Sequence, residues 1–171
     1  MKNLTTSEIA RKNVLNNKYA LEEVQKAIGL RGVVFEGELK FTKQQIASFF
    51  EVSERSINSS LQQNDQELRL NGYDVIRGNR LKSFKLAVIE SDVKEVNFPN
   101  KTPQLGIFNF RAFINIAMLL NKSERAREVR SLVLDIVIDT INKRTGGNTK
   151  YINQRDEDFI FNLLNNKDYH R

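Results

Sequence analysis

Apolar residues recur with helical spacing in the first half of the segment Phe41–Leu61, which reads FTKQQIASFFEVSERSINSSL. Ile46, Ala47 and Phe50 fall on one face of a helix, and the small Ala47 leaves room for a second helix to cross closely. The pattern then breaks at Glu51-Val52-Ser53. The spacing therefore predicts one short helix followed by a turn.

A second helix is predicted directly after this turn. Ser53 is a residue type that accepts a backbone N–H at a helix start, and Ile57 and Leu61 lie four residues apart on one face. Together the two helices predict a helix-turn-helix. Polar residues at the start and on the outward face of the second helix are of the types that read base edges in the major groove, Arg against guanine and Asn or Gln against adenine. The predicted base-reading residues are Ser53, Arg55, Ser56, Asn58, Ser59 and Gln62.

Glu51 departs from the usual composition of such a turn, which carries Gly to reach a left-handed backbone conformation at low cost. We therefore expect a turn that is slightly strained or differently built. Two short helices joined by a polar turn also occur in proteins that never touch DNA, and some modules of this geometry bind proteins instead. These alternatives stay open on the sequence.

The residues before this motif predict one helix and one hairpin. The helix is expected from about Ser7 to Ile28, with Gly29 ending it. Its apolar stripe comprises Val14, Leu21, Val24 and Ile28, and it either covers one face of the domain or forms a dimer contact. β-Branched and aromatic residues on both sides of Gly37 predict a short β-hairpin that turns there.

After the motif, residues 66–70 predict a short helical turn, and a basic turn at Arg77-Gly78-Asn79-Arg80 follows between two apolar runs. We interpret these runs as strands and the unit as a wing hairpin beside the second helix. Its basic side chains, with residues at the start of the first helix, are expected to meet phosphates. The predicted phosphate contacts are Lys43, Gln44, Arg77, Arg80 and Lys82. The alternative is a solvated hairpin whose charges serve solubility.

The second half of the chain predicts a loop, a strand and two helices. Both prolines fall within residues 92–104, which indicates a loop, and residues 105–108 can form a last strand. Asn109 and Ser123 each precede a periodic apolar run, so we expect each to cap a helix. The second of these helices is the longer and is expected to end at Gly146-Gly147.

This longer helix combines exposed arginines with a broad apolar face. Its first turns are expected to expose Arg125, Arg127 and Arg130. The predicted packed residues are Val129, Leu132, Val133, Ile136, Val137 and Ile141. Such a face exceeds what one neighbouring helix covers, so it lies deep in the core or belongs partly to a subunit interface.

Residues 33–130, approximately, resemble the RhuM family of virulence-associated and mobile-element proteins. The resemblance lies in the order of the predicted elements: a hairpin, a helix-turn-helix, a wing, an aromatic strand-to-helix junction and an S-x-R-A-x-x-x-R segment. The residues that carry the resemblance are Phe35, Phe41, Thr42, Gln45, Ala47, Phe50, Val52, Ser53, Ile57, Phe108, Ser123, Arg125, Ala126 and Arg130. The resemblance implies DNA binding through this region. Because members have no settled biochemical role, it adds more to the fold than to the function.

Composition agrees with a cytoplasmic protein that has a polyanionic partner. The chain has 171 residues, 40% of them hydrophobic, and a formal net charge of +6. It contains no Cys, which excludes disulfides and thiolate sites and suits a reducing compartment. No apolar run approaches the roughly 18 residues of a membrane span, and the first residues lack the apolar stretch of a signal peptide.

An enzyme is the competing class, and the sequence gives it little support. His170 is the only histidine, so no Ser-His-Asp arrangement or histidine metal site can be built. Asp135 and Asp139 lie one helical turn apart, but among Lys and Arg on a solvated face they indicate surface charge, not a Mg²⁺ site. We therefore expect no catalysis and no cofactor.

These patterns predict an α+β fold, a winged helix-turn-helix with small β-hairpins and an added C-terminal helical bundle. The predicted divisions are an N-terminal helix over residues 1–31, the DNA-binding domain over 32–91, a packing or dimerisation region over 92–147, and a further segment over 148–171 with a helix from about residue 153. The predicted function is sequence-specific binding of double-stranded DNA, in a regulator of a mobile-element or toxin–antitoxin type locus. The predicted protein partners are a second copy of the chain and a cognate toxin or fused domain. The alternative is a protein-interaction module, such as an antitoxin or a targeting domain.

Overall fold

A computed structural model describes residues 2–91, 93 and 102–145 of the chain. Within them the protein forms nine helices and four strands. The helices are α1 Lys2–Thr6, α2 Glu8–Leu15, α3 Lys18–Ile28, α4 Lys43–Phe50, α5 Glu54–Gln63, α6 Asp65–Leu70, α7 Gly78–Glu90, α8 Phe110–Leu119 and α9 Glu124–Thr145. The strands are β1 Val33–Phe35, β2 Glu38–Thr42, β3 Tyr73–Arg77 and β4 Gln104–Phe108. The predicted α+β class is confirmed.

The four strands form one antiparallel sheet in the order β1-β2-β4-β3. Phe108 of β4 lies opposite Phe41 of β2 on one side and Tyr73 of β3 on the other. Because successive side chains of a strand point to opposite faces, Phe108 and its neighbour Ile107 enter different cores. The sheet thus separates a larger helical core from a smaller one.

The larger core holds α4 and α5 against the rest of the helices. Its centre is Phe113 of α8, which is fully buried and stacks on Phe50 of α4 with ring centroids 5.0 Å apart. Phe113 also contacts Phe41 of β2, at 5.8 Å between centroids, and Phe49 of α4, at 5.3 Å. These rings tie α4 to the sheet and to α8.

The smaller core lies on the opposite face of the sheet, under α7. Leu81, Phe84 and Val88 of α7 are buried there. Phe84 packs edge-to-face on Phe35 of β1, with ring centroids 5.2 Å apart. As a result α7 lies on one side of the sheet, and α4 and α5 lie on the other.

The predicted wing hairpin is wrong, because the residues after Arg77 form α7 and not a strand. Gly78 takes a left-handed φ of 61° and turns the chain. Leu81, Phe84 and Val88, spaced three and four residues apart, are all buried on one side. That spacing is helical and is not the alternation of a strand. The strand that pairs with β3 is β4, which lies much further along the chain.

The predicted helix over residues 7–28 is wrong in its middle. The chain breaks at Asn16 and Asn17 into α2 and α3. The Asn17 side-chain oxygen accepts the backbone N–H of Ala20 at 3.1 Å and so begins a new helix. Gly29 ends α3 with a left-handed φ of 63°, as predicted.

Other predicted elements are confirmed. The hairpin turns at Glu36 and Gly37, with φ of 52° and 85°. The helical turn at 66–70 is α6, and the strand at 105–108 is β4. Asn109 and Ser123 cap α8 and α9. The end of α9 at Gly146-Gly147, residues 92 and 94–101 of the predicted loop, and the predicted tail helix lie outside the described residues.

The broad apolar face of α9 belongs to the core. α9 lies against α3, α4 and α8, and its six predicted packed residues are buried or half-buried there. The stripe of the N-terminal helices, from Val14 to Ile28, packs on the same core. Both stripes are therefore covered within the chain. Among the described residues no helix is both long and apolar enough to cross a lipid bilayer.

Candidate nucleic-acid interface

The segment predicted to be a helix-turn-helix comprises α4, the turn at residues 51–53, and α5, and we keep that name for these residues. Thr42 and Gln45 make a capping box at the start of α4, in which each side chain bonds the backbone N–H of the other. Glu51 takes φ 56° and ψ 43°, the left-handed conformation that Gly adopts more readily. The expected strain is therefore present, of roughly 1–2 kcal/mol for a residue with a side chain. The backbone N–H of Val52 bonds the Ala47 carbonyl at 3.0 Å and closes the turn.

Burial and capping fix the orientation of α5. Ser53 Oγ accepts the backbone N–H of Ser56 at 3.2 Å, which confirms Ser53 as the N-cap. Ile57 is fully buried and Leu61 is 8% exposed, so this side of α5 enters the larger core. The opposite side of α5 must then face solvent.

That outward side carries most of the predicted base-reading residues. Arg55, Asn58, Ser59 and Gln62 are exposed, and within the described part of the chain no hydrogen bond or ion pair holds their side chains. Ser53 and Ser56 differ, because their hydroxyls lie 3.2 Å apart and serve the cap. Four side chains are therefore available on one helix face, and two are engaged at its start.

The predicted phosphate contacts are divided between two parts of the molecule. Lys43 and Gln44 lie in the first turn of α4, inside the helix-turn-helix. Arg77 ends β3, while Arg80 and Lys82 lie on α7, across the sheet. The structure therefore keeps the first two near α5 and does not place the other three on a hairpin beside it.

Arg80 is held by two carboxylates of its own chain. Its guanidinium lies 2.6 Å from Glu36 of the β-hairpin turn and 2.8 Å from Asp74 of β3. The hydrogen bond from Arg80 lowers the pKa of Glu36, so the carboxylate stays charged. Arg80 thus joins the hairpin turn to α7 and is already neutralised.

Arg31 is a cationic residue near α4 that the sequence did not reveal. A cavity of about 550 Å³ lies between the end of α3 and α4. Its lining residues are Ile28, Gly29, Leu30, Arg31, Gln44, Gln45, Ser48 and Phe49. The Arg31 carbonyl accepts a hydrogen bond from Gln45 Nε2 at 3.2 Å, which brings this exposed residue against the first turn of α4. No local pattern marks Arg31, because only the fold brings it there.

The S-x-R-A-x-x-x-R segment anchors the helix-turn-helix to α9. Ser123 Oγ donates to the carbonyl of Phe50, the last residue of α4, at 2.8 Å, and it also caps α9. The Arg125 guanidinium lies over the Phe49 ring, 4.7 Å from its centroid, and 3.3 Å from Glu51. This end of α9 therefore supports the strained turn.

The prediction that Arg130 is exposed is wrong. Arg130 is 4% exposed, and its Nη1 donates to the carbonyls of Ala117 and Leu120 at 2.8 and 2.7 Å. It satisfies carbonyls that the end of α8 leaves without helical partners. Burial lowers the pKa of Arg130. Its role in the fold is to close α8, while Arg125 and Arg127 are exposed as predicted.

We expect Ser123→Ala to lower the free energy of unfolding by about 1–3 kcal/mol, because the helix cap and the buried bond to Phe50 are lost together. The matched control is Ser131→Ala on the exposed side of α9, which should change stability by no more than about 0.5 kcal/mol. Urea unfolding of both variants measures the difference. Equal stabilities would show that Ser123 does not hold α4 to α9.

The comparisons with known proteins return nothing similar: no protein-family model, curated protein or solved structure matches the chain. The resemblance to the RhuM family therefore stays a prediction. Over the described residues, no group of three or more acidic or histidine side chains is placed to hold a metal ion. Asp139 lies 3.1 Å from Lys143 in an ion pair.

Proposed function

We propose that the protein binds double-stranded DNA through the outward face of α5, inserted in a major groove. The observation that carries this proposal is the combination of a helix-turn-helix with exposed Arg55, Asn58 and Gln62 on its second helix. Polar side chains are common on any solvent-exposed helix face, but this set also matches the donor and acceptor pattern of base pairs.

Each side chain has a chemically defined role in this proposal. Arg55 can donate two parallel hydrogen bonds to guanine O6 and N7. Asn58 and Gln62 can each donate to and accept from adenine at N6 and N7. Asn58 and Gln62 are four residues apart and thus follow one another along the groove.

The first turn of α4 supplies the phosphate contacts. In helix-turn-helix proteins the first helix crosses the sugar-phosphate backbone while the second enters the groove. Lys43 and Gln44 occupy that first turn, and Arg31 adjoins it. The net charge of +6 favours association with a polyanion. We place this activity in the cytoplasm, in a transcriptional regulator.

Arg55→Ala and Asn58→Ala should each weaken binding of a selected DNA site by about 1–3 kcal/mol, because each removes hydrogen bonds to one base pair. Both positions are exposed, so melting temperatures should not change. Lys143→Ala is the control, because it also removes one positive charge from an exposed position. Lys143 lies about 27 Å along α9 from Arg125, which contacts the turn before α5, at roughly 1.5 Å per residue. Fluorescence anisotropy at fixed salt measures all three affinities. Parental affinity in both α5 variants would refute the assignment.

Lys43→Ala should weaken binding to all DNA sequences alike. If Lys43 meets a phosphate, the slope of log affinity against log salt concentration should become shallower by about 0.9. Gln44→Ala is the neighbouring control, which removes a polar contact without a charge and should leave the slope unchanged. A titration over several salt concentrations separates the two variants. An unchanged slope in Lys43→Ala would show that Lys43 does not contact a phosphate.

A further inference from the structure

The outer face of α7 exposes a compact apolar surface. Leu86 is 59% exposed and Ile89 is 77% exposed, although both belong to a helix whose other side is packed on the sheet. With about 100° per residue, Lys82, Leu86, Ile89 and Glu90 fall within an arc of about 100°. Leu86 lies at the middle of this arc, opposite the buried side of α7. We call these four residues the α7 outer face.

Charge is arranged symmetrically about Leu86. Lys82 lies four residues before it and Glu90 four residues after it, so the three form one i±4 ridge. Lys82 and Glu90 are both exposed, and within the described residues neither side chain makes an ion pair or hydrogen bond. The ridge therefore ends in opposite charges with an apolar centre.

We propose that the α7 outer face binds the α7 outer face of a second copy of this chain in an antiparallel, two-fold pair. When two such ridges lie side by side in opposite directions about Leu86, Lys82 of one copy meets Glu90 of the other, twice by symmetry. Leu86 and Ile89 of both copies are then shielded together from water. A parallel pair would instead oppose Lys82 to Lys82 and Glu90 to Glu90.

This contact is independent of the proposed function, because α7 and α5 lie on opposite sides of the sheet. It also differs from the dimer contacts predicted on α9 and on the N-terminal helices, whose apolar stripes are covered within the chain. A contact between one pair of helices buries less surface than a standard protein–protein interface, which covers about 800 Å² on each partner. We therefore expect association in the micromolar range.

Charge reversal provides a test that needs no DNA. In Lys82→Glu, two acidic residues of each copy face two acidic residues of the other, and in Glu90→Lys four lysines meet. Each single variant should associate at least about tenfold more weakly than the parent chain in sedimentation equilibrium. An equimolar mixture of the two variants should recover the parental association, because every reversed charge then meets its opposite. The double variant Lys82→Glu with Glu90→Lys should also recover it.

Both substitutions are at exposed positions, so circular dichroism should show an unchanged helix content. A parent chain that stays monomeric up to about 100 µM would overturn the proposal. A mixture that associates no better than either single variant would also overturn it. Either result would leave residues 146–171 of the same chain, or a different protein, as the binding partner of the α7 outer face.

Discussion

Replacing Glu67 by glutamine is expected to lower the free energy of unfolding by about 3–5 kcal/mol, because a buried arginine loses its charge partner. The Glu67 carboxylate accepts two hydrogen bonds from the Arg11 guanidinium, both at 2.8 Å. The side chains of Arg11 and Glu67 are only 8% and 11% exposed. Asn115 adds a third bond to the carboxylate at 2.6 Å. A glutamine side chain has the same shape but no charge, so the loss reports electrostatics and hydrogen bonding and not a cavity.

The same substitution should remove a component of the pH dependence of stability. Burial alone would raise the pKa of Glu67, but the hydrogen bonds from Arg11 and Asn115 and the charge of Arg11 together hold it below its ordinary value of 4.5. A carboxyl group whose pKa is lower in the folded state than in the unfolded state stabilises the fold at pH values above its unfolded-state pKa. This stabilisation is lost as the pH falls through the folded-state pKa. The parent chain should therefore lose stability below about pH 4.5 more steeply than Glu67→Gln does.

Asp65→Asn is the matched control, because Asp65 lies on the same helix in an exposed ion pair with Arg69 at 2.9 Å. Such surface pairs contribute about 0–1 kcal/mol. Urea unfolding at a series of pH values compares the three chains. If Glu67→Gln and Asp65→Asn lower the free energy of unfolding by the same small amount, the Arg11–Glu67 pair does not hold α2 to α6.

Phe113→Ala should also lower the free energy of unfolding by about 3–5 kcal/mol, and it should weaken the packing of the helix-turn-helix. Phe113 is fully buried, and its ring lies within 5.0 to 5.8 Å of four other phenylalanine rings. Two of these rings, Phe49 and Phe50, end α4 just before the strained turn. The variant should therefore lose affinity for DNA at temperatures where part of the population is unfolded.

Leu70→Ala is the control for this variant, because Leu70 is 77% exposed at the end of α6 and its loss leaves no cavity. Its stability should stay within about 0.5 kcal/mol of the parent. Thermal unfolding and DNA binding measured together on both variants test the coupling. A folded Phe113→Ala chain of parental stability would mean that the aromatic cluster does not support α4.

The elements that the sequence predicted well are those determined by neighbouring residues. Ser53, Asn109 and Ser123 are caps that bond a backbone group three residues away. The hairpin at Gly37 and the inward residues of α5 likewise depend on local spacing. Such interactions depend on a few adjacent residues, and so a single sequence reveals them.

The elements that it predicted badly depend on distant partners. The partner of β3 is β4, and nothing local shows which segments pair. α7 was therefore mistaken for that partner, although Leu81, Phe84 and Val88 have helical spacing. Arg130 looked like a surface residue, but it is buried because the end of α8 offers two free carbonyls. The pair of Arg11 with Glu67 was missed for the same reason.

The candidate site shows the same division. The outward face of α5 follows from the position of Ile57 and Leu61, and the structure places four of its six predicted residues on that face without internal partners among the described residues. The predicted phosphate contacts on the wing depended on a hairpin that does not form. Arg31 could not be predicted, since it meets α4 only through the hydrogen bond of Gln45.

Selection of bound duplexes from a random DNA pool, with the purified chain at a stated salt concentration, tests the central proposal most directly. We expect enrichment of one site that contains a guanine read by Arg55, and a parallel selection with Arg55→Ala should lose the preference at that base pair alone. Retention of DNA without enrichment would mean binding to phosphates only. No retained DNA from a folded chain, checked by circular dichroism, would contradict the proposal and favour a protein-interaction module.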